Sequence, residues 1–550
     1  MVSIEEIKSI KSFKELCERS SELFLECNPT SATNMGIDKF NHLWPRLSHK
    51  NVLQEIENLK IIHQKLKEIP PDSLGSNEDR ADYILFEWYL DIVLFELEKM
   101  RYWEYNPRIS GLILSGLNGL LLRKKPTSES NANSMVKRLQ TIPQVIEDIK
   151  NRATKPAQLW VDGEIKALGT LSSFIKTIPD AFTDTRLIQE LEEAATIAID
   201  AINEYQQWLK TIESGSLPIN KELYEQLILK RRLGLDPKAI ETLGLKYLQN
   251  TEEQLNKLVK VLPGQTIEEV RENIRKKHAP SFEILLDEYK EIAQKAEDFI
   301  IANDILTIPP NFEHKVVYTP PPMRHLMSLA GASPPGKYKD PQTGYFWVCP
   351  HDDLKMLEEH PYAWQSLLMS HESFPGHNIQ AICANTHSSA VRTRLFAGPS
   401  SNLGLMYYGQ LAEIIEGWAL YCEQMMLEKG FEDDPANPDP EKQFMLYNAI
   451  RWRAARMVID VRLHTGEFSY EKAVEFLGNA TGFNETINRA EVLMYSQSPG
   501  YFFSYLTGKH LLVHLKEELQ ISDKEFHDKI LYGGFVPYWF LKEHVFADSL

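Results

Sequence analysis

Cysteine is scarce in this chain of 550 residues: Cys17, Cys27, Cys349, Cys383 and Cys422 are all there are, and no two form a C-x-x-C pair. A sparse, odd set argues against a disulfide framework and for a reducing compartment. Long apolar runs are also missing. The longest, Gly111 to Leu122, is glycine-rich and shorter than the about 20 residues a transmembrane helix needs. Met1 to Leu16 alternates charged with apolar residues, lacks the apolar centre of a signal peptide, and reads as a first helix. The expectation is a cytoplasmic protein with no membrane partner. Clustered Lys and Arg are lacking too: 77 acidic against 60 basic residues give a formal charge of -17, and no basic run supplies the positive face that phosphates require. Nucleic acid is therefore not an expected partner. No repeat of fixed period or low-complexity tract is present, and oligomeric state leaves no mark in the sequence.

What is abundant is helical periodicity. Ala81 to Trp103 places Ile84, Leu85, Trp88, Tyr89, Ile92 and Leu97 on one broad face with Asp91, Glu96 and Lys99 interleaved; Arg186 to Ile212 and Ser281 to Ile301 read the same way. The chain exceeds the usual size of one compact domain, and the expected architecture is mainly α, with two helical lobes around a deep cleft and a small β element. The expected division is an N-terminal helical lobe over 1–308 and a catalytic part over 309–550, with interleaving of the two as one unit left open. Pro309 to Pro341 breaks the helical pattern, holding eight of the 30 prolines. It flanks Lys315 to Tyr318 and is followed by Gly344 to Cys349, two β-branched and aromatic runs that read as strands. Tyr345 to Val348 is a candidate edge strand for a peptide held by main-chain hydrogen bonds; a buried hairpin between the lobes is the other reading.

The stretch with most chemical content follows: His371-Glu372-Ser373-Phe374-Pro375-Gly376-His377. Catalytic zinc is held by three N or O ligands, and a glutamate beside a ligand histidine can take a proton from water. The spacing is not H-E-x-x-H. At roughly 100° per residue, six residues in a continuous helix would leave His377 about 120° away from His371. Pro375 and Gly376 forbid a continuous helix, so the expected geometry is a bulged or broken turn that returns His377 to the face of His371. The alternative is that Pro-Gly ends a helix and leaves both histidines on the surface. About 40 residues on, Glu416-Gly417-Trp418-Ala419-Leu420-Tyr421-Cys422-Glu423 lies in an apolar helical run. Glu416 is the expected third ligand, with Gly417 permitting close helix approach. Glu413 and Glu423 lie on nearly the same stripe, and one of them is expected to accept a hydrogen bond from a ligand histidine.

HESFPGHNIQ followed by EGWALYCE resembles the domain-of-unknown-function 885 family, whose members carry HExxPGHxxQ and EGWALY and are regarded as zinc peptidases. Similar landmarks run along most of the chain: Leu233-Gly234-Leu235-Asp236, Leu243-Gly244, Thr319-Pro320-Pro321 with Arg324, Arg453-Ala454-Ala455-Arg456 through Asp460 to His464, Tyr495 with Ser498-Pro499-Gly500, Tyr505 to Gly508, and Phe526-His527-Asp528 with Gly533. Where the family often has a second histidine after Pro-Gly, an arginine before the tyrosine and Gln-Ala after the later Pro-Gly, this chain has Asn378, Met494, Tyr501 and Phe502. Those replacements imply a more apolar subsite or weakened activity.

These readings combine into one expectation. His371, His377 and Glu416 hold one zinc ion per chain, Glu372 serves as the proton-transferring base, and His464, Tyr495 or Tyr505 supports the negative charge that grows on the substrate oxygen. Tyr345, Phe346, Trp347 and Arg324 are the expected substrate-binding residues. The expected activity is that of a zinc metallopeptidase on short peptides, by analogy with helical zinc oligopeptidases. A metal-dependent amidase on a non-peptide substrate and a catalytically weak or silent metal- or peptide-binding homologue are the alternatives. A di-metal oxidase is disfavoured, since none of the 16 histidines has Glu three positions before it.

Overall fold

The computed structural model describes residues 3–122, 127–320, 324, 329–394 and 411–549. It is mainly helical, with one three-stranded sheet. Ten helices bear on the site: α1 (Lys221–Lys230), α2 (Pro237–Val259), α3 (Phe282–Ala302), α4 (Tyr362–Glu372), α5 (His377–Asn385), α6 (Ala412–Glu428), α7 (Pro440–His464), α8 (Glu485–Gln497), α9 (Ser504–Glu518) and α10 (Asp523–Tyr532). Their starts follow local chemistry. Asp236 accepts from Ala239 N at 2.7 Å ahead of Pro237, Ser281 accepts from Ile284 N, and Asp439 accepts from Glu441 N ahead of Pro440, so each side chain meets an amide the first turn leaves open.

The expected helices form with shifted ends. The periodic segment beginning at Ala81 is helical over Asn77–Phe95, passes through a π turn at Glu96–Met100, and stops at Arg101 in the left-handed region. On its face Leu85, Trp88, Tyr89, Ile92 and Leu97 are buried, whereas Ile84 is exposed. The single N-terminal helix expected from Met1 to Leu16 is two, Ile4–Ser9 and Phe13–Cys27, because Ser12 caps a fresh start. No helix of the described residues is long and apolar enough to cross a membrane.

One buried apolar cluster runs from Ile7 to Phe546, so the halves on either side of residue 308 share a core. Polar links cross the same divide: Trp160 Nε1 donates to Ser496 Oγ at 2.9 Å, and Tyr224 Oη donates to Asp460 Oδ1 at 2.8 Å. At the crossing of α6 and α9, Gly417 and Gly508 bring two backbones together. A Cβ on Gly417 would lie 2.6 Å from Gly508 Cα, closer than carbon atoms pack.

The sheet corrects the expected edge strand. Its order is β1 (Phe312–Tyr318), β3 (Gln342–Val348), β2 (Ala330–Ser333), with β1 parallel and β2 antiparallel to β3. Tyr345 to Val348 therefore lies on the central strand, paired on both sides, with no free ladder for a peptide. Among the described residues β1 and β2 each keep one edge without a strand partner, and β2 is the strand that no sequence signal marked: Ala-Gly-Ala-Ser has little β propensity.

Candidate metal centre

The Pro-Gly step breaks the helix instead of bulging it. α4 ends at Glu372 and α5 begins at His377, leaving Ser373 to Gly376 as the joint. The joint is fastened on all sides. Phe374 N donates to Met369 O at 3.0 Å, Trp418 Nε1 of α6 donates to Pro375 O at 2.9 Å, and Ser373 Oγ meets His314 Nε2 of β1 at 2.9 Å. Burial holds the His314 imidazole down at about 4, so it meets Ser373 as a neutral ring. Gly376 is required sterically, since any Cβ there would run into the carbonyl of His371. Asn378, in the place where the family often has a histidine, donates to Ser373 Oγ and to Tyr345 O and ties the joint to β3.

This joint turns His377 back toward His371. The two rings stand edge to face, 4.9 Å between centroids at 89°. Glu416 of α6 comes between them, its Oε2 lying 3.8 Å from His371 Nε2 and 3.5 Å from His377 Nε2, and the three ligand atoms all lie within 4.8 Å of one another. Two imidazoles and a carboxylate gathered in this way could hold a metal ion. Behind the histidine, Glu423 Oε1 accepts from His371 Nδ1 at 2.7 Å, which leaves Nε2 as the ring's free face. Glu413 does something else: it is fully buried and paired with Arg231.

Charges reinforce the cluster. Burial pushes the His377 imidazole down, but the charge and hydrogen bond of Glu416, with Glu372 and Glu423 farther off, outweigh it and leave His377 raised. Burial also works against ionised Glu416, yet His377, His371 and the phenol of Tyr501 hold its carboxyl at about 2. Glu372 points to the sheet, where its Oε2 accepts from Ala332 N of β2 at 3.0 Å. That amide is directed away from β3, so the open edge of β2 faces the base candidate.

The remaining expected residues separate. Tyr505 lies beside the cluster, its ring 5.8 Å from that of Tyr501 and its hydroxyl hydrogen-bonded to it. Tyr495 does not reach the cluster: its hydroxyl donates to Glu491 Oε2 at 2.6 Å and accepts from Arg456 Nε at 3.0 Å. His464 is likewise directed elsewhere, with Nδ1 on the Asp460 carbonyl at 3.0 Å and its ring stacked on Tyr224. Arg456 pairs with Glu491, not with Asp460 one turn away. Phe346 is buried against Tyr289, and Tyr345, half-buried, stacks on Trp347, which is itself buried with its Nε1 donating to Ser333 Oγ at 2.8 Å. Arg324 is exposed on a turn, its Nε on Thr319 O.

Tyr501 is the residue that sequence reasoning placed wrongly. Counted there among apolar replacements, it donates its hydroxyl to Glu416 Oε1 at 3.0 Å. The available signal was a phenol directly after Pro499-Gly500, where a glycine at φ +79° turns the chain sharply.

Fold and cluster together define a class: a mainly helical protein in which a broken helix and its neighbour converge two histidines and a glutamate. The chain belongs to the family described as bacterial protein of unknown function (DUF885), which matches residues 29–545. Two solved structures share the fold. One, described as a "putative lipoprotein" of unknown function from Shewanella oneidensis, is 21% identical with a TM-score of 0.74, covering 97% of this chain and 99% of its own. The other, described as the "putative lipoprotein" from Colwellia psychrerythraea, is 20% identical with a TM-score of 0.82, covering 98% of both chains. No curated protein matches the chain.

Proposed function

We propose that this protein is a zinc-dependent hydrolase, with one ion per chain, that cleaves peptide bonds of short peptides. The observation that carries this is the convergence of His371 Nε2, His377 Nε2 and Glu416 Oε2 within 4.8 Å of one another, with His371 oriented from behind by Glu423. Zinc held there would act as a Lewis acid and lower the pKa of a water molecule. Glu372, one residue from His371, takes up a proton at its carboxylate and returns it to the leaving amine. The open edge of β2 supports a peptide substrate, because an extended chain laid along it would form main-chain bonds beside Glu372. Tyr505 would meet a developing oxyanion by turning its hydroxyl away from Tyr501. Five unpaired cysteines support a reducing compartment; the lipoprotein description belongs to the two solved relatives.

Metal analysis of purified protein with a mixed-peptide digest tests the reading. Wild type is expected to carry one zinc and to cut peptides. Glu372→Gln should keep the zinc and lose turnover by about 10²–10⁴-fold, the usual share of a general base. His377→Ala should lose both, and equal zinc in His377→Ala and wild type would remove His377 from the centre.

A further inference from the structure

We infer that Tyr501, positioned by Asp460, restricts Glu416 to a single ligating oxygen; this rests on the proposed metal centre. The two oxygens of Glu416 have different surroundings. Oε2 faces both histidines, at 3.8 and 3.5 Å, whereas Oε1 accepts the Tyr501 hydroxyl at 3.0 Å. A carboxylate with its second oxygen engaged by a phenol offers one atom to an ion, which keeps the coordination number low and leaves a position for water or substrate.

The phenol is held there by a carboxylate on another helix. Asp460 of α7 is completely buried, and its two oxygens accept the backbone amides on either side of Tyr501: Gly500 N on Oδ1 at 3.0 Å and Phe502 N on Oδ2 at 3.1 Å. Tyr224 Oη of α1 also donates to Oδ1, at 2.8 Å. From the other side, Arg231 grips the Gly500 carbonyl and Ser504 Oγ while pairing with Glu413, one turn before Glu416 on α6. The buried Asp460 carboxylate thus fixes the backbone of the Tyr501 turn to α7, and the buried Arg231 guanidinium fixes it to the helix that carries Glu416. Asp460 touches neither the histidines nor Glu416 in any of these contacts. It is a positioning residue.

The test uses the full chain loaded with cobalt(II), whose visible absorption reports coordination number, together with competition measurements of zinc affinity. The variants are Tyr501→Phe, Asp460→Asn and the double substitution, each checked by thermal unfolding without metal. Tyr501→Phe removes one hydroxyl and should bind zinc about 10–100-fold more weakly, the usual effect of losing a partner of a metal ligand, with a weaker cobalt band as Glu416 binds through both oxygens. Asp460→Asn should move both readouts the same way, and the double variant should be no worse than the more affected single one. Multiplied losses in the double variant would show that Asp460 acts independently of Tyr501 and overturn the positioning claim. An unchanged cobalt spectrum in Tyr501→Phe overturns the inference outright, and does so even if Asp460→Asn folds too poorly to measure. Wild type that binds neither metal overturns the proposed function, and this inference with it; wild type that binds while both variants match it overturns this inference alone.

Discussion

Glu413 and Glu416 are three residues apart on α6, and their surroundings differ sharply. Glu413 meets a guanidinium: Arg231 lies against it, both are buried, and the pair joins α1 to α6. Glu416 meets two imidazoles whose nitrogens stop 3.5 and 3.8 Å short, with its other oxygen already given to a phenol. The first arrangement is closed by protein cations. The second is a set of Lewis bases pointed at a common centre, and it is stable without metal only to the extent that a proton is shared within it. The difference separates a structural ion pair from the proposed ligand set, though both draw on the same residue type on one helix.

Glutamine at each position would sharpen the contrast. Glu416→Gln should lower zinc affinity by at least about 100-fold, because a neutral amide is a poor ligand, while stability without metal falls less than in Glu413→Gln. Competition with a chelator measures it, and wild-type affinity would exclude Glu416 as a ligand. Glu413→Gln should do the reverse. Leaving Arg231 buried and uncompensated costs about 3–5 kcal/mol in urea unfolding, with one zinc still bound by the folded fraction. The smallest effect is on pH. Raised His377 stabilises the metal-free fold fully below its ordinary value of about 6.5, a contribution lost as pH climbs through the raised value; depressed Glu416 contributes above about 4.5, and that is lost as pH falls toward about 2. The pair therefore serves the metal-free protein best between about 4.5 and 6.5, where zinc must displace a proton. The rise in melting temperature given by zinc should grow from pH 5.5 to 8. A rise that shrinks over that range would contradict protonated His377 as the competitor.

Helix content was legible because a 3.6-residue apolar period and capping residues such as Asp236 and Ser281 act locally. The approach of His371, His377 and Glu416 was legible because Pro375-Gly376 forbids a continuous helix and because an apolar run such as Ile414 to Cys422 has to be packed. What lay beyond reach was choice of partner. His464, Arg456 and Asp460 share a stripe on α7, but a stripe does not say which neighbour each meets, and they meet Tyr224, Glu491 and the backbone of Gly500 and Phe502. Strand order was equally hidden, since β3 looks like any aromatic strand and only the weakly β-prone Ala330–Ser333 makes it central. Tyr501 was misread for the same reason: side-chain type suggested an apolar wall, and the hydroxyl's direction is set by a buried aspartate 41 positions earlier in sequence.

The meeting of Gly417 with Gly508 has a bearing on tolerance to change. Where two helices touch through main chain alone, there is no side chain whose replacement could retune their spacing, and any added atom forces them apart. The carboxylate that follows Glu413 by one turn and the phenol that precedes Gly508 by two thus keep a separation set by peptide geometry.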